Sequence, residues 1–479
     1  MRYPGFIGPA YQSSSYMADS ETLINLYPEK NESPNAPTPY VLLPTPGFTE
    51  LDEVAEGPGR GSISIGALEY FVSGFRLYER SGMTITARGT VASDTNPATL
   101  SWNGVAGGQL FVTSGGIGYI LDLSTFVLTT VLASGATMGA YLDGYFLSID
   151  AATGVLRISD LLDGLVWDPT QIATRSQAPD PWVALTVIRA EIWLLGSRTS
   201  EVWANAGSFP FPFEPIPGAL LEQGIAAPFS LSRDVSPLCW VSANAQGARM
   251  VLMAQGYQGV RISTHAIERS LTDCATVENV TSFSYQEQGH TFYVLTCPDD
   301  ATWAYDPAVG WGQRAYWNTL TSEWEPIRVR THVYTAAGEH LMQDRASGAL
   351  YRMGLDLYTD VDGSLMRRER TPPRLSAPGQ VRFTVPWIQL IMDVGVGVLG
   401  ASTTDPSVNP AAMLQTSRDG GKTWGPERTA AIGRLGEYST RVFWNQCGQA
   451  RNRVDRFRFA AACPIRLVDA EIEVQVGTS

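Results

Sequence analysis

The sequence predicts an all-β chain: a β-propeller of six or seven blades, with an extended N-terminal arm and a C-terminal β-sandwich-like domain. Three observations predict it. A hairpin pattern, two apolar or aromatic runs around a short turn, recurs seven times between residues 68 and 356. Its spacing is roughly 40–55 residues, the period of propeller blades rather than of helical repeats. The chain is also rich in turn formers, with 46 Gly and 30 Pro, while helical periodicity is scarce.

Residues 1–60 are rich in Pro, Ser and Asn, with isolated aromatics at Tyr3, Phe6, Tyr11, Tyr16, Tyr27, Tyr40 and Phe48. So many aromatics argue against a disordered tail and for an arm that docks on its own or a neighbouring subunit. Deleting residues 1–50 is therefore expected to weaken assembly more than it destabilises the propeller.

Residues 61–366 carry the hairpins: LEYFVSGFRLYER (68–80), GGQLFVTSGGIGYILDL (107–123), LDGYFLSIDAATGVLRIS (142–159), AEIWLLGSRTSEVWANAG (190–207), ARMVLMAQGYQGVRIS (248–263), HTFYVLTCPDDATWAYD (290–306) and GEHLMQDRASGALYRMG (338–354). One helix is expected at 263–273, with Ile267 and Leu271 on one face and Thr264 as its cap. The Pro-rich stretch 205–229 reads as a long inserted loop, with Phe209, Phe211 and Phe213 as candidate subunit contacts.

Residues 367–379 read as a charged, proline-bearing linker. Its arginines (Arg367, Arg368, Arg370 and Arg374) suit a solvated face or a contact with a subunit or DNA. Residues 380–479 then carry strand-like runs on the scale of a β-sandwich.

The sharpest local motif is an Asp box: Ser417, Asp419, Gly421, Thr423 and Trp424 fit the pattern S-x-D-x-G-x-T-W. The pattern specifies a hairpin turn: a carboxylate accepts turn amides, a glycine supplies positive φ, and the tryptophan packs beneath. Gly395, Gly397 and Gly400 match a dinucleotide fingerprint but lead into the loop 401–406 rather than a helix, so no dipole awaits a pyrophosphate. The four histidines show no zinc-binding spacing. No catalytic set, cofactor or metal is expected. The five cysteines are scattered, without a CxxC pair, and read as reduced, buried small hydrophobes.

The net charge is −13, which argues against a protein that grips nucleic acid. No signal peptide opens the chain, and the apolar stretch 387–402 is too polar and glycine-broken to enter a membrane.

The ordered set GPAYQSSSYMADSETLINLYPE (8–29), LLPTPGFTEL (42–51), ISDLLDGLVWDP (158–169), EIWLLGSRTSEVWANAG (191–207), QGIAAPFS (223–230), GVRISTHAIERSL (259–271), SRDGGKTWGPE (417–427) and GEYSTRVFWNQCGQARNRVDRFRF (436–459) resembles the packaged-DNA stabilisation, or tail-hub, proteins of short-tailed bacteriophages. Relatives often carry cysteines in the arm, where this chain has Ser20 and Leu23. The resemblance implies a non-enzymatic virion tail protein made in the host cytoplasm. It implies a ring, typically of six copies, below the portal and its adaptor protein. Such a hub closes the channel after DNA packaging and carries tail spikes or fibres and a plugging needle, while phage DNA passes without sequence-specific binding. The Asp box and the tryptophans leave two alternatives: a sialidase-like propeller glycosidase, or a carbohydrate-binding propeller for host attachment.

Overall fold

The computed structural model describes residues 1–477 apart from 14, 16–17, 106–107, 176–178, 233–236, 245 and 401–404, so Tyr16 and the first part of the loop after Gly400 lie outside the described residues. Each predicted hairpin forms the second and third strands of one blade, and the described residues form seven blades.

Blade 1 comprises Gly59–Ile65, Leu68–Ser73, Arg76–Ser81 and Thr84–Thr90. Blade 2 comprises Thr99–Trp102, Gln109–Ser114, Gly116–Asp122 and Leu128–Ala136. Blade 3 comprises Met138–Leu142, Tyr145–Asp150, Val155–Ile158 and Ile172–Thr174. Blade 4 comprises Trp182–Ile188, Glu191–Gly196, Ser200–Asn205 and Phe213–Leu221. Blade 5 has three strands, Cys239–Ala243, Arg249–Gln255 and Gln258–Arg261. Blade 6 comprises Thr281–Glu287, His290–Thr296, Thr302–Asp306 and Gly310–Asn318. Blade 7 comprises Val329–Tyr334, His340–Asp344 and Ala349–Gly354, and its fourth strand is Gly47–Glu53.

Second strands sit between neighbouring blades and are buried on both faces. Phe71 and Val72, or Leu194 and Leu195, are therefore adjacent in sequence and both inaccessible. That is why these runs read as continuous apolar stretches rather than alternating ones. Trp182 and Trp203 meet edge to face at 5.4 Å in the core shared by blades 3 to 5. The stretch 205–229, expected as an inserted loop, carries the fourth strand of blade 4, Phe213–Leu221, between irregular segments and runs into a short 3-10 helix, Pro228–Ser230. The helix touches the inner strands of blades 4, 5 and 6 and completes the ring.

Residues 1–60 are extended but do not form a free arm. Ser20–Ile24, Leu26–Lys30 and Tyr40–Pro44 are strands of the C-terminal sandwich. One sandwich sheet orders Leu26–Lys30, Tyr40–Pro44, Leu467–Ile472, Trp387–Met392 and Val442–Asn445. The other orders Ser20–Ile24, Arg368–Thr371, Asn452–Phe459, Ala411–Ser417 and Arg428–Ala431. Leu23, Leu42, Ile388, Leu414, Phe457 and Leu467 belong to the core of the sandwich. The second sheet runs on into blade 6, where Ile24 pairs in parallel with Gln313. The expected linker 367–379 thus contains a buried central strand. Its polar sequence hides this because the partners that neutralise it are distant in sequence: residues 5–22 for Arg370, Thr45 for Arg368 and Arg458 for Glu369.

The helix forms at His265–Asp273, with Ile267 and Leu271 buried as expected; Thr264 precedes it, but its hydroxyl makes no capping bond. The expectation that all cysteines are reduced is corrected. Cys274, just after the helix, is disulfide-bonded to Cys297 at the end of a blade 6 strand, with Cα atoms 6.2 Å apart. A separation of 23 residues without a CxxC pair conceals that proximity in sequence. Cys239, Cys447 and Cys463 are buried free thiols.

Candidate functional site

The Asp box closes the turn after strand Ala411–Ser417. The Ser417 hydroxyl donates to Asp419 Oδ1 at 2.7 Å and accepts the Gly421 amide at 2.8 Å. Asp419 also accepts the amides of Lys422 and Thr423, each at 3.0 Å, and the Thr423 hydroxyl at 2.6 Å. These donors hold its carboxyl well below the usual range. Gly421 has φ +100°. Trp424 lies beside Gly421, with the Arg456 guanidinium 3.9 Å from its ring centre. Both residues line a 510 Å³ cleft that also involves Trp303 of blade 6 and Glu369 of the sandwich. The carboxylate of Asp419 and the hydroxyls of Ser417 and Thr423 are all engaged within the turn.

The arginine cluster separates into different roles. Arg368 and Arg370 are buried, which removes them as contacts with a subunit or DNA. Arg370 donates to the carbonyls of Phe6 at 2.6 Å and Gly5 at 2.7 Å and pairs with Glu21 at 3.4 Å. It therefore fastens the N-terminus to the sandwich. Arg368 donates to the Thr45 carbonyl at 3.4 Å. Arg367 is half-buried and stacks over Trp317, 4.1 Å from the ring centre. Arg374 donates to Asn452 at 2.8 Å.

The three phenylalanines also separate. Phe213 is core, edge to face with Tyr145 at 5.7 Å. Phe211 is partly buried against the same cluster. Phe209 alone projects, 95% exposed.

It has company that the residue-by-residue reading missed. In a four-stranded blade, the turns after strands one and three emerge on one face of the propeller, and the turn after strand two emerges on the other. Val105, Val127, Leu161, Leu162, Val166 and Phe209 all lie in turns of the first kind, in blades 2 to 4, and all are exposed. The sequence signal was an apolar run, LLDGLV (161–166), at a place where no strand fits. Gln109 of blade 2 ties these turns together, donating to Asp163 at 3.2 Å and accepting the Gly164 amide at 2.6 Å. Exposed apolar side chains gathered on one face of a propeller suit an interaction surface.

The propeller channel is a 670 Å³ cavity lined by inner-strand residues, among them Arg60, Thr99, Ser284, Tyr285, Arg330 and His332. That is the volume of a small-molecule pocket. His332 and His340 share a 2.8 Å hydrogen bond, and burial pushes His332 down to about 3. A glycosidase of the sialidase type needs a tyrosine–glutamate pair beside arginines. Here the Tyr285 hydroxyl accepts a bond from Arg314 at 2.7 Å, and its ring stacks on Phe292 at 4.9 Å. Glu287 pairs with His340 at the end of the channel that carries the exposed apolar turns, whereas Arg60 and Arg330 lie at the other end. Among the described residues no group of three His, Cys, Asp or Glu side chains is placed to hold a metal ion. Among the described residues no helix is long and apolar enough to cross a membrane.

No curated protein matches the chain. Solved structures that align with part of the chain include the N-terminal domain of Nup159, at 12% identity and TM-score 0.39, covering 70% of this chain and 99% of that one. The WD40 β-propeller domain of Doa1 aligns at 9% identity and TM-score 0.40, covering 64% and 97%. The extracellular domain of a putative one-component system, BT4673 from B. thetaiotaomicron, aligns at 9% identity and TM-score 0.44, covering 66% and 40%. The family descriptions are more specific. Residues 8–358 match the bacteriophage P22 Gp10 β-propeller, and residues 375–475 match the bacteriophage P22 Gp10 β-sandwich. With both halves matched in order, the chain belongs to the bacteriophage P22 Gp10 family of structural tail proteins.

Proposed function

We propose that this protein is the tail hub of a short-tailed phage: a ring, of six copies, that closes the portal channel after DNA packaging and retains the genome. In this reading it joins the portal-associated adaptor protein on one side. On the other it carries the tail spikes or fibres and the needle, and it opens for ejection without catalysing a reaction. It works in the virion tail after synthesis in the host cytoplasm.

The observation that carries the reading is the exposed apolar patch on blades 2 to 4. The sandwich is fixed to the outer strand of blade 6. In a ring of seven blades, blade 6 lies across from blades 2 and 3. Each copy thus presents two unlike surfaces on opposite sides, the arrangement that generates head-to-tail, ring-closing contacts. The net charge of −13 supports a channel along which DNA slides rather than sticks. The propeller's own cavity is of small-molecule size, so in this reading DNA runs along the axis of the ring rather than through any single propeller.

Leu162→Asp and Phe209→Asp test the reading, with ring formation on the portal–adaptor complex followed by electron microscopy. The wild-type chain is expected to form rings and the double variant to remain monomeric while retaining its β-sheet circular dichroism. A wild-type chain that stays monomeric with the complex present, or a double variant that assembles normally, overturns the proposal. Turnover of sialosides or surface polysaccharides by the wild-type protein would favour the glycosidase instead.

A further inference from the structure

The end of the propeller channel opposite the apolar turns opens into a second cavity of 410 Å³, lined among others by Arg330, Arg345, Thr95, Asn96, Thr281 and Thr296. In a chain with 47 acidic and 34 basic residues, this mouth gathers arginines. Arg330 donates one bond, to the Thr95 carbonyl at 2.8 Å. Arg345 donates one, to the Pro298 carbonyl at 3.3 Å. A guanidinium carries five N–H donors, so most of the donor capacity of both remains unmatched.

Behind them stands Arg60, fully buried. Its Nε and Nη1 are engaged by Asn96, Gly74, Ala92 and Ser114, but its Nη2 has no hydrogen-bond partner, and Asp94 lies 3.9 Å away. Arg330 is held down at about 10, by burial first and then by repulsion from Arg60.

Asp94 beside Arg60, and Asp344, Glu325 and Asp299 around Arg345, offset part of this charge from outside the cavity lining. Asp344, which flanks Arg345, is occupied by Arg328 at 2.8 Å, by the Tyr351 hydroxyl at 3.1 Å and by the Ala346 and Ser347 amides. Among the described residues, Glu278 is the one carboxylate that lines the cavity itself. Under-used guanidiniums in a partly desolvated pocket are a costly arrangement unless an anion joins them.

We propose that this mouth binds a phosphate group, gripped by Arg330 and Arg345 with the buried charge of Arg60 behind them. The guanidinium fork matches phosphate oxygens in pairs, and the threonines and asparagines supply further donors around it. The cavity has the size of a small-molecule site, so a phosphate monoester fits it as well as the free ion. The site faces away from the apolar patch and stands independently of the hub reading.

Calorimetric titration of the full-length protein at neutral pH and low salt tests it, with inorganic phosphate and a nucleoside monophosphate as probes and chloride at matched ionic strength as the control. Saturable binding of at least one probe is expected. Arg330→Gln and Arg345→Gln should each weaken it at least tenfold, while Arg352→Gln, at an outer ion pair with Asp356, should leave it unchanged. Equal affinity for the two probes would identify the free ion as sufficient, and tighter binding of the ester would show that its organic part touches the walls. Should a glutamine variant fail to fold, Arg345→Lys replaces it, keeping the charge but losing the fork, and the same weakening is expected. No saturable heat with either probe, or variants that bind as the wild type does, would overturn the proposal.

Discussion

Asp360 lies in the segment that follows blade 7, and burial pushes its carboxyl from 3.8 up to about 6. Its Oδ1 accepts the Val361 amide at 2.8 Å, which an asparagine oxygen accepts equally well. A carboxyl raised in the folded state favours protonation there. Its penalty is absent below the unfolded value, grows as pH rises from about 4 to about 6, and stays constant above. Two pKa units correspond to about 3 kcal/mol. Asp360→Asn is therefore expected to stabilise the protein by up to about 3 kcal/mol in urea unfolding at pH 7, and by almost nothing at pH 4. Equal gains at both pH values would refute the burial argument. The other informative residues divide by the range of their partners. The Asp box was readable because its donors lie within six residues of Ser417. Arg370 was not, because its acceptors, Gly5 and Phe6, lie more than 360 positions away.

At the scale of the element, the hairpins were readable and their closures were not. A strand buried on both faces announces itself as an apolar run, and a turn as Gly or Asp between two runs. The pairing of Gly47–Glu53 with Ala349–Gly354 leaves no such mark, since it joins the two ends of the ring. One contact between elements responds to pH. His290 of blade 6 sits between Asp306 on the next strand and Glu29 on a sandwich strand, each at 2.5 Å. Burial alone would lower its pKa, but the bonds to Asp306 and Glu29 outweigh it and the pKa is raised above 6.5. A raised imidazole contributes stability that is complete below 6.5 and lost as pH rises through the folded value. Amide protection in Leu26–Lys30 is thus expected to fall as pH climbs through the neutral and mildly alkaline range. In His290→Gln it should stay level across that window, and a wild-type profile as flat as the variant's would sink the idea.

At the scale of the molecule, the N-terminal residues bind the two domains into one body. They contribute three strands to the sandwich and the last strand to the propeller. Deleting residues 1–50, expected from the sequence to weaken assembly more than it destabilises the propeller, therefore strikes the propeller itself, because Gly47–Glu53 closes blade 7. The truncated chain would leave blade 7 without most of its closing strand, expose the edge of Ala349–Gly354 and uncover Leu467 at the sheet edge. It is expected to lose its cooperative thermal transition by circular dichroism and to aggregate in size-exclusion chromatography. A truncated chain that melts as the full-length protein does would overturn this reading.

The sequence by itself determined the all-β class, the seven hairpins, the helix at 265–273 and the Asp-box turn, because each is written in residues close together along the chain, and the family likeness, because it lies in the order of such local segments. Only the tertiary structure decided that the arm joins the sandwich and the propeller, that the linker contains a buried strand, that Cys274 meets Cys297, and that apolar turns of three blades emerge on one face. Those facts depend on contacts between residues far apart in sequence, where burial and charge neutralisation are set by the partner rather than by the neighbours.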